Sequence, residues 1–240
     1  MPRSIAVFGA GPALGREVAR RYASQGYDVA LVARDPGWLD RLARELAGDG
    51  ATAHAVPADL SDPAGVPSLA QRIRDRIGNP SALYYGPSVG GAGSAAGLTP
   101  QQVQAHMPTA VYSLVALVRE FVPPMIEQQD GAILVAAGAS AVQGMPDFSG
   151  PGPALAAQRN YLQSLGAELS GRGVYVGRLY IGAAIRGSAW HTRIEAAEVA
   201  GHTPRRRYPV ADPAHLADLL AAMHQTRQPA ETIYPDGLFG

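Results

Sequence analysis

The sequence predicts a single α/β domain, residues 1–240, with helices on both faces of a doubly wound parallel sheet of about seven strands. Three observations predict this fold. Short, nearly continuous apolar runs alternate with segments of helical periodicity, which is typical of strands buried on both faces. Apolar residues make up 47% of the chain and charged residues 17%, which supplies a large core and excludes a disordered chain. No internal repeat and no long linker interrupts the alternation.

The first half of the chain predicts four strands separated by three helices. Apolar runs place the strands at residues 5–8, 28–33, 52–56 and 83–85. Apolar residues at helical spacing mark the helices between them, which begin near Leu14, Trp38 and Val66. Gly26 and Gly48 end the first two helices, because glycine readily takes the left-handed conformation of a helix C-cap.

The second half continues the alternation with longer helices. Helices are predicted at 101–107 and 110–127, with a break at Pro108, and a fifth strand follows at 133–135. A long helix at 153–170 leads to a sixth strand at 174–181. The last helix is predicted at 213–224 with Asp212 as its N-cap.

Composition excludes several classes of protein. The formal net charge is zero, which argues against nucleic acid or an anionic membrane as the main partner. Cysteine is absent, so the chain has no disulfide, no thiolate nucleophile and no Cys-ligated metal, and no His/Asp/Glu group has metal-ligand spacing. The N-terminal residues lack the features of a signal peptide, and apolar stretches such as 111–118 are too short to span a membrane. We therefore expect a cytoplasmic protein that contacts no membrane.

Three glycines follow the first strand. Gly9, Gly11 and Gly15 lie between that strand and the first helix, where a dinucleotide-binding Rossmann-type domain holds its pyrophosphate. Glycine lets the backbone approach the phosphates, and the helix N-terminus supplies N–H groups and a positive dipole end. The alternative interpretation is a tight strand–helix turn that binds nothing.

The spacing of this turn resembles that of the short-chain dehydrogenase/reductase family, with Gly9, Ala13 and Gly15 at the three glycine positions. The resemblance extends over nearly the whole chain. Further similar segments are Asp59-Leu60, Gly131–135, Leu165–169, Gly173–176, Ile181-Gly182 and Tyr234–237. It implies contacts to a nicotinamide cofactor at Gly9, Gly11, Ala13, Leu14, Gly15, Arg34, Asp59, Leu60, Gly86, Pro87, Ile181 and Gly182.

The residues after the second strand favour NADP(H) over NAD(H). Family members that use NAD usually carry an acid at the position of Ala33, where it holds the ribose 2′-hydroxyl. Here Ala33 is followed by Arg34, which suits a 2′-phosphate through charge-assisted hydrogen bonds. The alternative is that Arg34 is an ordinary exposed arginine.

The family's catalytic residues are missing. Counting from Glu168-Leu169 places the family's Tyr at Pro151, its Lys at Leu155 and its Ser at Gly138, while its structural Asn falls near Pro108 or Ala110. All twenty basic residues are Arg, and none of the ten tyrosines has Lys or Arg four residues further on. A genome that favours Arg explains the absence of Lys in general. It does not explain Leu at position 155.

Other residues offer substitutes for the missing groups. The loop 139–150 borders the nicotinamide pocket in the implied fold and contains Ser140, Gln143, Asp147 and Ser149. The segment 183–209 corresponds to the family's substrate lid. It contains Trp190, His191, His202, Arg205–207 and Tyr208. His191 has the chemistry of a general acid or base, although a solvated lid histidine without a role is the simpler interpretation.

Two further residues have simple alternatives to a catalytic role. Arg159 can clamp an anion or form an ion pair, and its high pKa makes it a poor proton donor. Tyr161 has the position of a packing aromatic. A Ser-His-Asp hydrolase is excluded because the chain has no Gly-x-Ser-x-Gly segment.

The resemblance therefore implies a divergent reductase that binds NADP(H) and acts on a small carbonyl-type substrate without the usual Ser-Tyr-Lys mechanism. It also implies a homodimer or homotetramer formed through the helices at 110–127 and 153–170. Two alternatives remain open. One is a non-redox cyclase or isomerase on the same scaffold, and the other is a nucleotide-binding pseudoenzyme.

Overall fold

A computed structural model describes residues 3–91, 93–146, 148–201 and 208–239. Nine strands and eight α-helices lie in these ranges. The strands are β1 Ser4–Phe8, β2 Asp28–Val32, β3 Ala53–Ala55, β4 Ala82–Tyr85, β5 Gly131–Gly138, β6 Val174–Ile181, β7 Ala184–Ile185, β8 Val210–Ala211 and β9 Glu231–Tyr234. The helices are α1 Leu14–Ala23, α2 Pro36–Gly48, α3 Val66–Ile77, α4 Pro100–Met107, α5 Ser113–Glu127, α6 Gly152–Leu169, α7 Ala189–Val199 and α8 Pro213–Thr226.

Seven of the strands form one parallel sheet in the order β3-β2-β1-β4-β5-β6-β9. The predicted doubly wound sheet of about seven strands is confirmed. From β1 the chain adds β2 and β3 on one side of the sheet, and it then returns to add β4, β5 and β6 on the other side. The gap between β1 and β4 is therefore the switch point, and ligands of such sheets bind there, at the carboxyl ends of the strands. Strands β7 and β8 pair with each other outside the sheet and connect the two ends of the segment 183–209.

Most predicted elements are confirmed, with shifted ends. The fifth strand runs over eight residues, Gly131–Gly138, and the predicted Asp212 cap accepts a hydrogen bond from the Ala214 N–H at 2.9 Å. Helix α7 and the strands β7, β8 and β9 were not located from the sequence. Helix α7 has no buried residue and therefore no apolar face to detect, and β9 is an edge strand with intermediate exposure throughout.

The predicted break at Pro108 is a π-helix, Pro108–Tyr112, that joins α4 to α5. A π-helix widens the turn and displaces backbone carbonyls from their usual partners. Two side chains satisfy these carbonyls: the Tyr85 hydroxyl donates to the Thr109 oxygen, and Gln158 Nε2 donates to the Ala110 oxygen at 2.5 Å. The bend is thus fastened both to the sheet and to α6.

The same helical run corrects the expectation that every apolar stretch is too short to span a membrane. Pro100–Glu127 forms one helical segment of 28 residues that is long and apolar enough to do so by length and composition alone. The expectation counted only uninterrupted apolar residues. In the fold, Leu114, Leu117 and Phe121 of this segment are buried against the sheet, as in a core helix.

Helices α1 and α8 pack against each other through a buried polar contact. Tyr22 Oη and His224 Nδ1 share a hydrogen bond of 2.8 Å, and their rings stack with centroids 5.7 Å apart. Burial, assisted by the positive charge of Arg227, lowers the pKa of His224 to about 4. The native fold therefore holds this imidazole in its neutral form.

This contact predicts a pH dependence of stability. Because the pKa of His224 in the folded chain lies below the ordinary value of about 6.5, the unfolded chain binds more protons between pH 6.5 and pH 4. The contribution is complete above pH 6.5 and is lost as the pH falls towards 4, by at most about 3 kcal/mol.

A His224→Asn variant keeps an acceptor near Tyr22 but does not titrate. We expect its free energy of unfolding, measured by urea denaturation, to fall less steeply than that of the wild type between pH 6.5 and pH 4. Parallel pH profiles for the two proteins would contradict this assignment.

Candidate active site

The glycine turn after β1 packs tightly against the turn after β4. Gly9 has a φ of +92°, and a Cβ on it would lie 2.7 Å from the Gly86 carbonyl carbon and from Pro87 N. A Cβ on Gly15 would lie 2.1 Å from the Gly9 oxygen. Neither position has room for a side chain. Gly11 differs, because its nearest neighbour, the Gly9 oxygen, is 3.9 Å away, so this part of the turn is open.

The start of α1 lacks a capping side chain. Ala13 occupies the N-cap and accepts no hydrogen bond through its side chain, whereas Asp35, Thr99, Ser188 and Asp212 cap α2, α4, α7 and α8. The N–H groups of Leu14 and Gly15, in the first turn of α1, have no intrahelical acceptor. Open donors at the positive end of a helix beside an open glycine turn fit the pyrophosphate of a dinucleotide.

The sequence analysis placed Trp38 in the second helix but did not predict its contact with the glycine turn. In the structure this residue holds the turn in place. Its indole Nε1 donates to the Ala10 oxygen at 2.7 Å, and its backbone N–H donates to the N-cap side chain of Asp35 at 3.1 Å. The indole thus connects the start of α2 to the glycine turn. An aromatic residue in the first turn of a helix gives no sequence signal for such a contact.

Arg34 and Asp59 lie near each other at the carboxyl ends of β2 and β3. Hydrogen bonds from the Ser61 N–H at 2.9 Å and the Ser61 hydroxyl at 2.8 Å, together with the positive charge of Arg34, lower the pKa of the exposed Asp59 carboxyl. Arg34 is itself exposed. Leu60 is buried, and its carbonyl accepts a hydrogen bond from the Ser113 hydroxyl at 2.7 Å.

The remaining predicted cofactor positions lie at the ends of β4 and β6. The Gly86 N–H donates to the Phe8 oxygen at 2.9 Å, and a Cβ on Gly86 would lie 2.1 Å from the Tyr84 hydroxyl oxygen. The Gly182 N–H donates to the Tyr234 oxygen at 2.7 Å, and a Cβ there would lie 2.2 Å from Leu238 Cδ2. Ile181, the last residue of β6, is buried.

Of the three positions that the sequence analysis aligned with the family's Ser, Tyr and Lys, two approach each other near the start of α6. Gly138 ends β5, Pro151 is the N-cap of α6, and a Cβ on Gly138 would lie 3.6 Å from Leu155 Cδ1. Leu155 is buried in an apolar cluster with Ala110, Ala141, Ala154 and Tyr180. None of the side chains at positions 138, 151 and 155 can exchange a proton.

Among the predicted substitutes that the structure describes, Ser140 is buried and His191 is partly buried. His191 lies in the first turn of α7, its side chain is 13% exposed, and its Nδ1 lies 3.2 Å from Glu195 Oε2. Gln143 is exposed after the short helix 139–141, away from the buried groups. Asp147, His202 and Arg205–207 lie outside the described residues.

Arg159 forms an ion pair, which is one of the two roles that the sequence suggested for it. Its Nη2 and Nε contact the two Glu231 carboxylate oxygens at 2.6 and 3.2 Å, and Arg178 Nε contacts the same carboxylate at 3.3 Å. The Arg159 guanidinium also lies 5.8 Å from the centre of the Tyr180 ring. Tyr161 is half-buried and packs against the core, as the packing interpretation predicted.

Tyr180, beside Leu155, is a buried tyrosine that sequence reasoning did not single out. Its side chain is fully buried, and its hydroxyl has no hydrogen-bond partner within the described residues. Burial raises the pKa of this hydroxyl well above its ordinary value, so it is a poor proton donor near neutral pH. Its position inside the apolar run of β6 hides it from pattern analysis.

Three loops meet above the carboxyl ends of the central strands. Gly93, after β4, bridges to Phe148, after β5, and the Ser149 N–H donates to the Gly93 oxygen at 3.1 Å. The Phe148 ring lies 5.9 Å from that of Trp190 and 5.4 Å from that of Tyr208, both of which follow β6. We call Phe148, Trp190 and Tyr208 the aromatic cluster.

Known proteins resemble this chain over most of its length. It is 30% identical over 217 residues to 1-deoxy-11-beta-hydroxypentalenate dehydrogenase of Streptomyces exfoliatus, covering 83% of this chain and 77% of that protein. It is 28% identical over 181 residues to a fatty acyl-CoA reductase of Mycobacterium tuberculosis, covering 74% of this chain and 62% of that protein. The second match thus spans less than two thirds of its relative.

Solved structures share the fold. A short-chain dehydrogenase from Sphingobium yanoikuyae in complex with NADPH is 26% identical, with a TM-score of 0.81 over 98% of this chain and 89% of that chain. An NADPH-bound short-chain oxidoreductase from Pseudomonas aeruginosa, described as containing an atypical catalytic center, is 22% identical, with a TM-score of 0.82 over 96% and 94% of the two chains.

The family-level comparison agrees with the sheet order and the glycine turn. The sequence profile described as short chain dehydrogenase matches residues 3–192, which includes β1 to β6 and the start of α7. The chain therefore belongs to the short-chain dehydrogenase family.

Proposed function

We propose that this protein is an NADPH-dependent reductase of an apolar carbonyl compound that works without the family's Ser-Tyr-Lys residues. The observation that carries the proposal is the uncapped start of α1 beside the open side of the glycine turn, because it offers an anion site and nothing else in the fold uses it. The NADPH complex of the Sphingobium yanoikuyae relative supports the choice of ligand.

Arg34 is the proposed contact for the 2′-phosphate of the cofactor. It is exposed and lies near Asp59, at the edge where β2 and β3 end. Position 33 is Ala, so no carboxylate there repels the phosphate. Charge complementarity therefore favours NADP(H) over NAD(H).

The substrate side of the proposed site is apolar. Leu155 and Ala141 are buried beside Gly138, Val142 packs against them, and the aromatic cluster joins the loop after β5 to the segment after β6. None of these described side chains carries a charge, so a ligand that lies against them is desolvated and gains no ionic partner from them. We therefore propose a neutral substrate that is largely hydrocarbon around its carbonyl group.

When bound, the cofactor supplies a hydride to the carbonyl carbon and leaves as NADP⁺. The chain must then deliver one proton to the carbonyl oxygen, so that the product is an alcohol. His191 is the proposed donor, because Glu195 Oε2 lies 3.2 Å from its Nδ1 and its side chain is only 13% exposed. After turnover the imidazole regains its proton from solvent.

One observation favours a different function. The apolar packing of Leu155 with Ala154, Ala110 and Tyr180 gives the pocket the character of a shaped hydrocarbon cavity. A cyclase, an isomerase or a nucleotide-binding pseudoenzyme would use such a cavity without hydride transfer. These alternatives predict that no carbonyl compound oxidises NADPH in the presence of the protein.

The cofactor assignment predicts a preference for NADPH over NADH in fluorescence titration. Replacing Arg34 with Ala removes a charge-assisted contact worth about 1.5–3 kcal/mol, so the preference should fall roughly tenfold to a hundredfold. Arg44→Ala, which removes another exposed cation from α2, is the matched control and should keep the preference. An unchanged ratio in Arg34→Ala would refute the role of Arg34, and absence of NADPH binding to the wild type would refute the function.

If His191 is the proton donor, replacing it should lower kcat and leave the binding of NADPH unchanged. With a ketone and aldehyde panel, His191→Gln should lower kcat by about 10²–10⁴-fold while the Kd for NADPH stays unchanged. His215→Gln, on α8, serves as the control. A kcat for His191→Gln within threefold of the wild type would exclude His191 and assign the proton to water.

A further inference from the structure

Ser140 is the polar side chain nearest to the place where the side chain of residue 138 is missing. A Cβ built on Gly138 would have Ser140 Oγ at 3.6 Å on one side and Leu155 Cδ1 at 3.6 Å on another. Ser140 lies in the short helix 139–141, which turns the chain directly after β5. This turn brings a hydroxyl back beside Gly138 from two residues further along the chain.

The Ser140 side chain lies in a buried position, and its hydroxyl is not engaged by the protein. The residue is 9% exposed, and the hydroxyl makes no hydrogen bond within the part of the chain that the structure describes. Ser113 provides a contrast, because its buried hydroxyl donates to the Leu60 oxygen at 2.7 Å. The Ser140 hydroxyl therefore keeps its proton available for a hydrogen bond to a ligand.

The surroundings of Ser140 are largely apolar. Leu155 and Ala141 belong to the buried apolar cluster of this region. The Ser140 backbone carbonyl, and not its hydroxyl, borders the start of α6, at 3.9 Å from the Cβ position of Gly152. The hydroxyl lies instead on the side of Gly138, where it is the polar group of an otherwise hydrocarbon environment.

We propose that the Ser140 hydroxyl donates a hydrogen bond to the carbonyl oxygen of the substrate, in place of a side chain at position 138. This assignment rests on the proposed reductase function. The hydride adds to the carbonyl carbon as the C=O π bond breaks, and the oxygen takes a proton from His191 or water. Ser140 keeps its own proton and stabilises the developing alkoxide through this hydrogen bond.

The first test is the kinetics of Ser140→Ala. Removing one donor of this kind lowers kcat by about 10²–10³-fold, and we expect this loss with any carbonyl compound that the wild type reduces. The Kd for NADPH should not change. Ser164→Ala, which removes an exposed hydroxyl from the outer face of α6, is the matched control and should retain wild-type kcat. A kcat for Ser140→Ala within threefold of the wild type would overturn the proposal and leave the reductase function intact.

Moving the hydroxyl from position 140 to position 138 tests whether the Ser140 side chain acts chemically or only supports the fold. At 3.6 Å from its neighbours, a Cβ at position 138 makes only ordinary contacts. The double variant Gly138→Ser/Ser140→Ala should therefore fold and recover at least tenfold of the lost kcat. If melting temperatures match and no activity returns, the effect of Ser140 does not come from its hydroxyl.

A spectroscopic measurement decides the proposal even if the wild type reduces no compound in the panel. Carbonyl-¹³C cyclohexanone is added to each protein with NADP⁺, and its C=O stretch is followed by infrared difference spectroscopy. A hydrogen bond lowers this frequency. The shift should occur with the wild type, disappear in Ser140→Ala and return in the double variant. A shift that persists in Ser140→Ala, or no shift with the wild type, overturns the assignment.

Discussion

The close approach of two backbone turns at the switch point of the sheet governs the geometry of the site. Gly9 comes so near the Gly86 carbonyl that a Cβ on Gly9 would clash with it, and a Cβ on Gly15 would clash with the carbonyl of Gly9. This contact fixes the end of β1 against the end of β4, and the Trp38 indole holds the turn from the other side. The start of α1 is thereby aimed at the crevice into which the strand ends open.

The sequence predicts the fold well because its signals are local and repeated. Apolar runs and helical periodicity located β1 to β6 and α1 to α6, and the glycine turn located the switch point. Helix α7 and strand β9 escaped prediction because their contacts are made with distant segments and leave no periodic pattern. The parallel order of the strands became definite only through the resemblance to a family.

The candidate site was predictable in part. Counting along the chain brought Gly138, Pro151 and Leu155 to one place, and the structure does bring Gly138 and Leu155 into contact range. The hydroxyl of Ser140 could not be assigned from spacing, because its direction depends on how the helix 139–141 turns after β5. Trp38 likewise acts through a contact that no motif encodes. The position of a polar group at this place thus depends on the tertiary structure, which residue spacing alone does not give.

The contacts between the loops that follow β4, β5 and β6 affect how a ligand enters and leaves the crevice. Gly93, Phe148, Trp190 and Tyr208 connect segments that follow β4, β5 and β6, so these segments are held together over the crevice. A ligand that passes between them separates aromatic pairs, each contact worth about 0.5–1.5 kcal/mol beyond its buried area. These contacts therefore add to the barrier for entry and exit and lengthen the residence time of any molecule bound beneath them.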